Sequence, residues 1–170
     1  MVFLLIIPLL ILRYGMPIFF SGKGLSGLDY FPPRAGRERI ALKVYFITNP
    51  FLIFSPLFSR IMVGMPWIVL GSSIYLLGIC VLGVGLFCFS AVAIGLAQTG
   101  IYRFSRNPIY MGYFLIFIGS SLLIGSWFHL AMTFIYRSAE HFLIQSEERW
   151  CANFYGQQYL EYQKKVHCYI

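Results

Sequence analysis

The chain has 170 residues, 59% hydrophobic, 19% aromatic and only 11% charged, with a mean hydropathy of +0.74. Soluble domains carry roughly a quarter charged residues, so this composition excludes an ordinary water-soluble globule and points to a bilayer. The formal net charge of +7 comes from basic residues scattered among apolar runs, which reads as membrane topology and headgroup contact rather than a nucleic-acid surface.

A helical span needs about 20 apolar residues, which predicts an all-α, polytopic membrane protein of about five transmembrane helices. The first span is expected over residues 2–20, interrupted by Pro8, Arg13 and Pro17. Residues 1–12 resemble a signal-peptide core, but no basic residue precedes them and no small-residue cleavage site follows, so they read as a retained span. Residues 21–43 are rich in Gly, Pro and charge (Arg34, Arg37, Glu38, Arg39, Lys43) and read as an aqueous loop with an interfacial helix at its end. A short second span over 44–59 carries Asn49-Pro50 and Pro56, which predicts a kink.

The third span is expected over 67–93, where Gly71, Gly78 and Gly85 repeat on one stripe that a neighbouring helix can approach closely. The fourth runs over 108–123, with Pro108 at the helix start where its missing N–H costs nothing. Gly112, Gly119 and Ser126 repeat the same spacing. A turn at Gly125-Ser126 makes the fourth span and a fifth, from Trp127, a helical hairpin.

In the fifth span Arg137, Glu140 and His141 share one face. Arg137 lies about 15 Å along the axis from Trp127, deep in the bilayer, so it requires a polar cavity or a partner. An Arg137–Glu140 pair that only fixes helix packing is the plainer alternative. The helix continues through Glu147-Glu148-Arg149, and the tail from Phe154, with Tyr155, Tyr159, Tyr162, Lys164 and Lys165, suits a short interfacial helix. Cys80, Cys88, Cys151 and Cys168 have neither CxxC nor zinc-type spacing, so no metal is expected. Basic residues concentrate in the first loop, the central loop with Arg103 and Arg106, and the tail; the positive-inside rule puts these in the cytoplasm and the N-terminus outside.

The central stretch Gly100-Ile101-Tyr102-Arg103-Phe104-Ser105-Arg106-Asn107-Pro108-Ile109-Tyr110-Met111-Gly112 packs polar groups densely between apolar runs. With Glu147-Glu148 returning to the same membrane side, these groups can hold a small zwitterion that carries an aromatic ring. Arginine grips a carboxylate, a helix N-terminus receives an anion, and a glutamate holds an ammonium. Equally, the arginines can be ordinary loop positives, the tyrosines interfacial aromatics and the glutamates a solvated helix end.

The pattern Gly-x-Tyr-Arg-x-x-Arg-Asn-Pro-x-Tyr-x-Gly, followed by a hydrophobic hairpin, Glu147-Glu148 and then Phe154-Tyr155-Gly156 through Tyr159, Tyr162 and Val166, resembles the isoprenylcysteine carboxyl methyltransferase family and its phospholipid methyltransferase relatives. The resemblance covers residues 94–166. It implies S-adenosylmethionine bound at the cytoplasmic side, S-adenosylhomocysteine as product, and a lipidic acceptor entering from the bilayer, with no nucleic-acid partner. It further implies cofactor contacts from Leu96, Ala97, Tyr102, Asn107, Pro108, Ile109, Tyr110 and Glu147, flanked by Arg106 and Glu148. The chain then divides into supporting helices and loop over 1–95 and a catalytic part over 96–170.

Asn107 stands where many members have His, which removes a titratable group. Where the eukaryotic enzymes place an arginine before the paired glutamates, this chain has Leu143; Arg137 and His141 are the nearby substitutes. A carboxylate acceptor is already ionised and needs no base, whereas an amine must lose a proton to Glu148, Glu140 or His141. The leading expectation is O-methylation of a prenylcysteine-like carboxylate. Phospholipid or other amine N-methylation, a nucleotide-dependent membrane reductase, and a headgroup-binding scaffold are the alternatives.

Overall fold

A computed structural model describes residues 2–15, 36–61, 63–92 and 95–169. The end of the first expected span, most of the first expected loop and residues 93–94 lie outside the described residues. Those described fold into helices with no strand among them. The first, α1 (Ile6–Leu10), is flanked by a 3-10 turn over Val2–Leu5 and a π turn over Ile11–Gly15. Then follow α2 (Arg37–Phe54), which passes into a 3-10 turn over Ser55–Phe58, and α3 (Met65–Ser90). The C-terminal half contributes α4 (Pro108–Ile124), α5 (Trp127–Tyr155) and α6 (Gln157–Lys165).

Among the described residues, α2 with its 3-10 turn and α3 are long and apolar enough to cross a membrane, and α4 is a shorter apolar helix. At 29 residues, α5 is about 43 Å long, well beyond a hydrocarbon core of about 30 Å. Its C-terminal turns therefore extend past any bilayer its first turns occupy.

Two expected boundaries are corrected. The helix expected at the end of the first loop is continuous with the second span, Arg37 to Lys43 forming the first turns of α2, because Arg, Glu, Leu and Lys are strong helix formers and nothing in 37–49 breaks the helix. Glu38 on that turn pairs with Arg149 on α5, outside the apolar length of both helices. The tail helix covers only Gln157–Lys165, and its Tyr159 and Tyr162 are buried against Leu96, Cys151 and Val166.

The expected hairpin is present. Gly125 closes α4 in the left-handed conformation (φ 68°), returns its N–H to the Ser121 carbonyl at 2.9 Å, and Ser126 caps α5 by accepting from the His129 N–H.

The two glycine stripes face each other across the α3–α4 interface. A Cβ on Gly78 would fall 2.6 Å from the Ile116 nitrogen, one on Gly112 2.7 Å from the Leu82 nitrogen, and one on Gly119 2.6 Å from the Tyr75 nitrogen. Backbones this close leave no room for a methyl group, so α3 and α4 form a tightly fused pair. Around that pair, Leu9, Leu52, Tyr75, Leu82, Phe117 and Tyr136 build the central core, with the Tyr45 ring stacked on Tyr136 at 5.4 Å. Arg13 of the first segment donates Nη1 to the Tyr113 hydroxyl at 3.1 Å.

Candidate active site

The site grows from the loop that joins α3 to α4. Gly100 adopts φ 61° with its open side against the Cys88 sulfur, 2.5 Å from where a Cβ would sit, so only glycine allows the loop to turn this close to the end of α3. A single 3-10 turn over Gly100–Arg103 then buries Tyr102, whose carbonyl accepts from the Tyr162 hydroxyl of α6 at 2.6 Å. Burial pushes the Tyr102 phenol well above its ordinary range, so it stays neutral. Leu96 packs against the same α6 tyrosines, and Ala97 is buried beside it in sequence. A cavity of about 330 Å³ opens between this loop and α6, lined by Gln98, Arg103, Gln158, Glu161, Tyr162 and Lys165 among others.

Arg106 ties the loop to two later parts of the chain. Its Nε and Nη2 donate to Glu148 Oε1 at 2.9 and 2.8 Å, and its Nη1 donates to the carbonyls of Gln163 and Val166 at 3.0 and 2.6 Å. Its backbone N–H reaches the His167 carbonyl at 3.0 Å. Partial burial alone would weaken the guanidinium's hold on its proton, but the adjacent Glu148 carboxylate outweighs this and strengthens it. Asn107 occupies the N-cap of α4 without capping it: Nδ2 donates to Glu148 Oε1 at 3.3 Å and to the Cys168 carbonyl at 3.2 Å. Pro108 opens the helix, fully buried, and Ile109 packs over Gly85.

One turn into α4, Tyr110 donates its hydroxyl to Glu147, 2.8 and 2.9 Å from the two carboxylate oxygens. Residues separated by 37 positions thus meet between the start of α4 and the later turns of α5. The Tyr110 hydroxyl thus holds the Glu147 carboxylate between α4 and α5.

Deeper along α5, Arg137 donates Nη1 to Glu140 Oε2 at 3.3 Å, and Glu140 is completely buried. The guanidinium lies 5.4 Å from the Phe114 ring centroid and 4.2 Å from that of Tyr169. The same Tyr169 hydroxyl is 2.8 Å from His141 Nδ1. Arg137 therefore has both the intrahelical pair and an aromatic partner from the tail. Leu143 points elsewhere, buried with Ala41 and Ala139 in the α2–α5 interface.

The structure brings Asn107 and Arg106 to Glu148, Tyr110 to Glu147, and Tyr102 and Leu96 to α6. Arg137 and His141 meet at Tyr169 rather than at the paired glutamates. Sequence reasoning missed Tyr169 and the Gln163–Cys168 carbonyls that hold the loop. Tyr169 lies beyond the tail motif, and backbone acceptors leave no mark in residue type.

The helical bundle and its polar cluster at the helix ends define a class of α-helical protein that gathers charged groups beside apolar spans. The phospholipid methyltransferase family model matches residues 59–158, more than half of the chain. The chain belongs to the phospholipid methyltransferase family. It is 37% identical over 73 residues to a protein-S-isoprenylcysteine O-methyltransferase of Saccharomyces cerevisiae, and 32% identical over 72 residues to one of Schizosaccharomyces pombe. Each match covers 42% of this chain and 30% of the relative, so the aligned stretch spans less than a third of those proteins. No solved structure matches.

Proposed function

We propose that the protein transfers a methyl group from S-adenosylmethionine to the carboxylate of a lipidic, prenylcysteine-like acceptor, with residues 96–170 forming the catalytic part. The observation that carries this reading is the Tyr110–Glu147 contact beside the Arg106–Glu148 pair, which joins the motif blocks at one place. The donor set suits a zwitterionic sulfonium compound. In this reading Glu147 is the carboxylate that meets an ammonium or a sugar hydroxyl of the donor, and Tyr110 fixes that carboxylate in place. Family membership and the two named relatives support methyl transfer and a prenylcysteine acceptor.

The bound donor would supply an electrophilic methyl whose sulfonium charge disappears on transfer. The protein's work is alignment and exclusion of water. In this reading Leu96, Ala97, Tyr102, Asn107, Pro108 and Ile109 wall the donor, while Arg106 and Glu148 keep loop, α5 and tail together around it. Arg137 is the cation placed to steer an acceptor carboxylate and His141 its neighbour, with Tyr169 yielding to the acceptor. We further propose about five spans, with the catalytic loop and C-terminus cytoplasmic and the N-terminus outside.

One observation favours a second reading, N-methylation of an amine. Glu140 Oε1 is buried without a hydrogen-bond partner among the described residues, which suits the proton of an amine acceptor. The experiment that decides is incubation of purified protein with methyl-labelled donor in lipid extract, followed by mass spectrometry. An alkali-labile methyl ester supports the carboxylate reading, an alkali-stable methylamine the second, and no labelled lipid rejects both.

A further inference from the structure

Far from the paired glutamates, a cavity of about 390 Å³ lies between the end of α2 and the α4–α5 hairpin. The rise from His129 to Glu147 along α5 puts it about 27 Å from the candidate active site. Phe51, Phe54, Phe58 and Phe128 line it, together with Ser55 and His129, and none of its lining residues is charged. Two of its polar atoms, Ser55 Oγ and His129 Nε2, are buried with no hydrogen-bond partner among the described residues. A buried polar atom left unpaired is costly, and two in one apolar cavity call for a common partner.

His129 is surrounded by hydroxyls and carbonyls. Ser121 Oγ donates to the Phe117 carbonyl at 2.7 Å, and Thr133 Oγ1 donates to the His129 carbonyl at 3.0 Å. Ser121 Oγ also lies 2.8 Å from His129 Nδ1, with the donor set by the ring tautomer. His129 is only 2% exposed and pairs with no carboxylate, so it is held as the neutral imidazole. The Leu52 carbonyl is the backbone group that interacts with the ring, while Nε2 has no close hydrogen-bond partner among the described residues. Ser55 supplies a hydroxyl beside it. A single alcohol oxygen both donates and accepts, so it can serve His129 and Ser55 together.

We infer that this cavity binds an uncharged, hydroxyl-bearing membrane lipid, its hydroxyl held by His129 and Ser55 and its apolar body against the phenylalanines. The absence of charge in the lining disfavours phosphate or ammonium headgroups, which would be desolvated unpaired. Water alone is a poor occupant, since the volume corresponds to on the order of ten waters at about 30 Å³ each, with few polar groups to hold them. Phe58 and Phe128 are 89% and 61% exposed, so the cavity opens at the protein surface between aromatic side chains.

The test is photolabelling of the full chain in lipid nanodiscs with a diazirine-bearing hexadecanol, compared with the methyl ether of the same probe. The ether accepts hydrogen bonds but donates none. The alcohol should label peptides containing residues 51–59 and 124–129 about tenfold more than the ether, and unlabelled hexadecanol should compete. His129→Phe and Ser55→Ala should each remove most of that difference. The wild-type comparison of the two probes stands even if a variant fails to fold. Equal labelling by alcohol and ether, or labelling spread over the exposed face of α3, would overturn the proposal, leaving the cavity to water or to acyl chains. Neither outcome depends on methyl transfer.

Discussion

The α3–α4 interface and the cluster where α4, α5 and the tail meet use one helix, α4, in opposite ways. Along its length α4 presents glycines and α3 presents its own, so backbone approaches backbone at Gly78, Gly112 and Gly119, and aliphatic side chains meet Gly71 and Gly85. At its N-terminus α4 presents Asn107 and Tyr110, and the answer comes from carboxylates and carbonyls 37 to 61 residues away. The first contact is stable because nothing protrudes. The second is held by the Arg106–Glu148 ion pair, the tail carbonyls that Arg106 reaches and the Tyr110–Glu147 contact. A rigid apolar pair thus holds the polar cluster in place, which any alignment-driven chemistry requires.

Four substitutions sharpen that contrast. The largest effect is expected from Arg106→Ala, which leaves Glu148 without its cation and with the Asn107 amide still donating to it, at side-chain exposures of 9% and 16% for the two ion-pair partners. Breaking such a pair costs about 3–5 kcal/mol, and the tail loses its anchor as well. Limited proteolysis should show cleavage near residues 163–169 that the wild type resists, and Arg106→Lys should rescue it poorly because a point charge cannot span the same acceptors.

Next comes Gly119→Val, whose Cβ meets the Tyr75 backbone at 2.6 Å. Overpacking there should cost about 1–3 kcal/mol, read as a lowered melting midpoint in detergent. Gly83→Ala, with only Leu12 side-chain atoms at 3.6 Å or beyond, is the control and should leave the midpoint nearly unchanged. If both variants melt alike, the close approach of α3 and α4 is not what stabilises the bundle.

Tyr110→Phe removes the hydroxyl from Glu147 but keeps the ring. Calorimetry should find S-adenosylhomocysteine bound about tenfold more weakly, the scale of a lost hydrogen bond to a charged group, with the melting midpoint of the free protein little altered. Unchanged affinity would sink the cofactor assignment while leaving the geometry intact. The smallest effect belongs to Glu38→Ala, whose partner Arg149 is 59% exposed. A screened surface pair contributes at most about 1 kcal/mol, and raised salt should erase even that difference in a denaturation experiment.

The sequence alone determined the helical class, the hairpin at Gly125-Ser126 and the stripes Gly71-Gly78-Gly85 and Gly112-Gly119. These depend on spacing within one helix or on a turn that only glycine makes easily, and both are local properties. The motif residues Arg106, Asn107, Tyr110, Glu147 and Glu148 were also singled out by type. Tertiary structure alone decided the pairings: that Arg106 chooses Glu148, Tyr110 chooses Glu147, and Tyr169 covers Arg137. It also decided that the charged turn at Arg37 is helix, and that His129 and Ser55 share a cavity. Such partners are tens of residues apart, and several accept through backbone carbonyls. Residue type cannot encode which of many equivalent acceptors a guanidinium or a ring nitrogen will reach; only the path of the packed chain does.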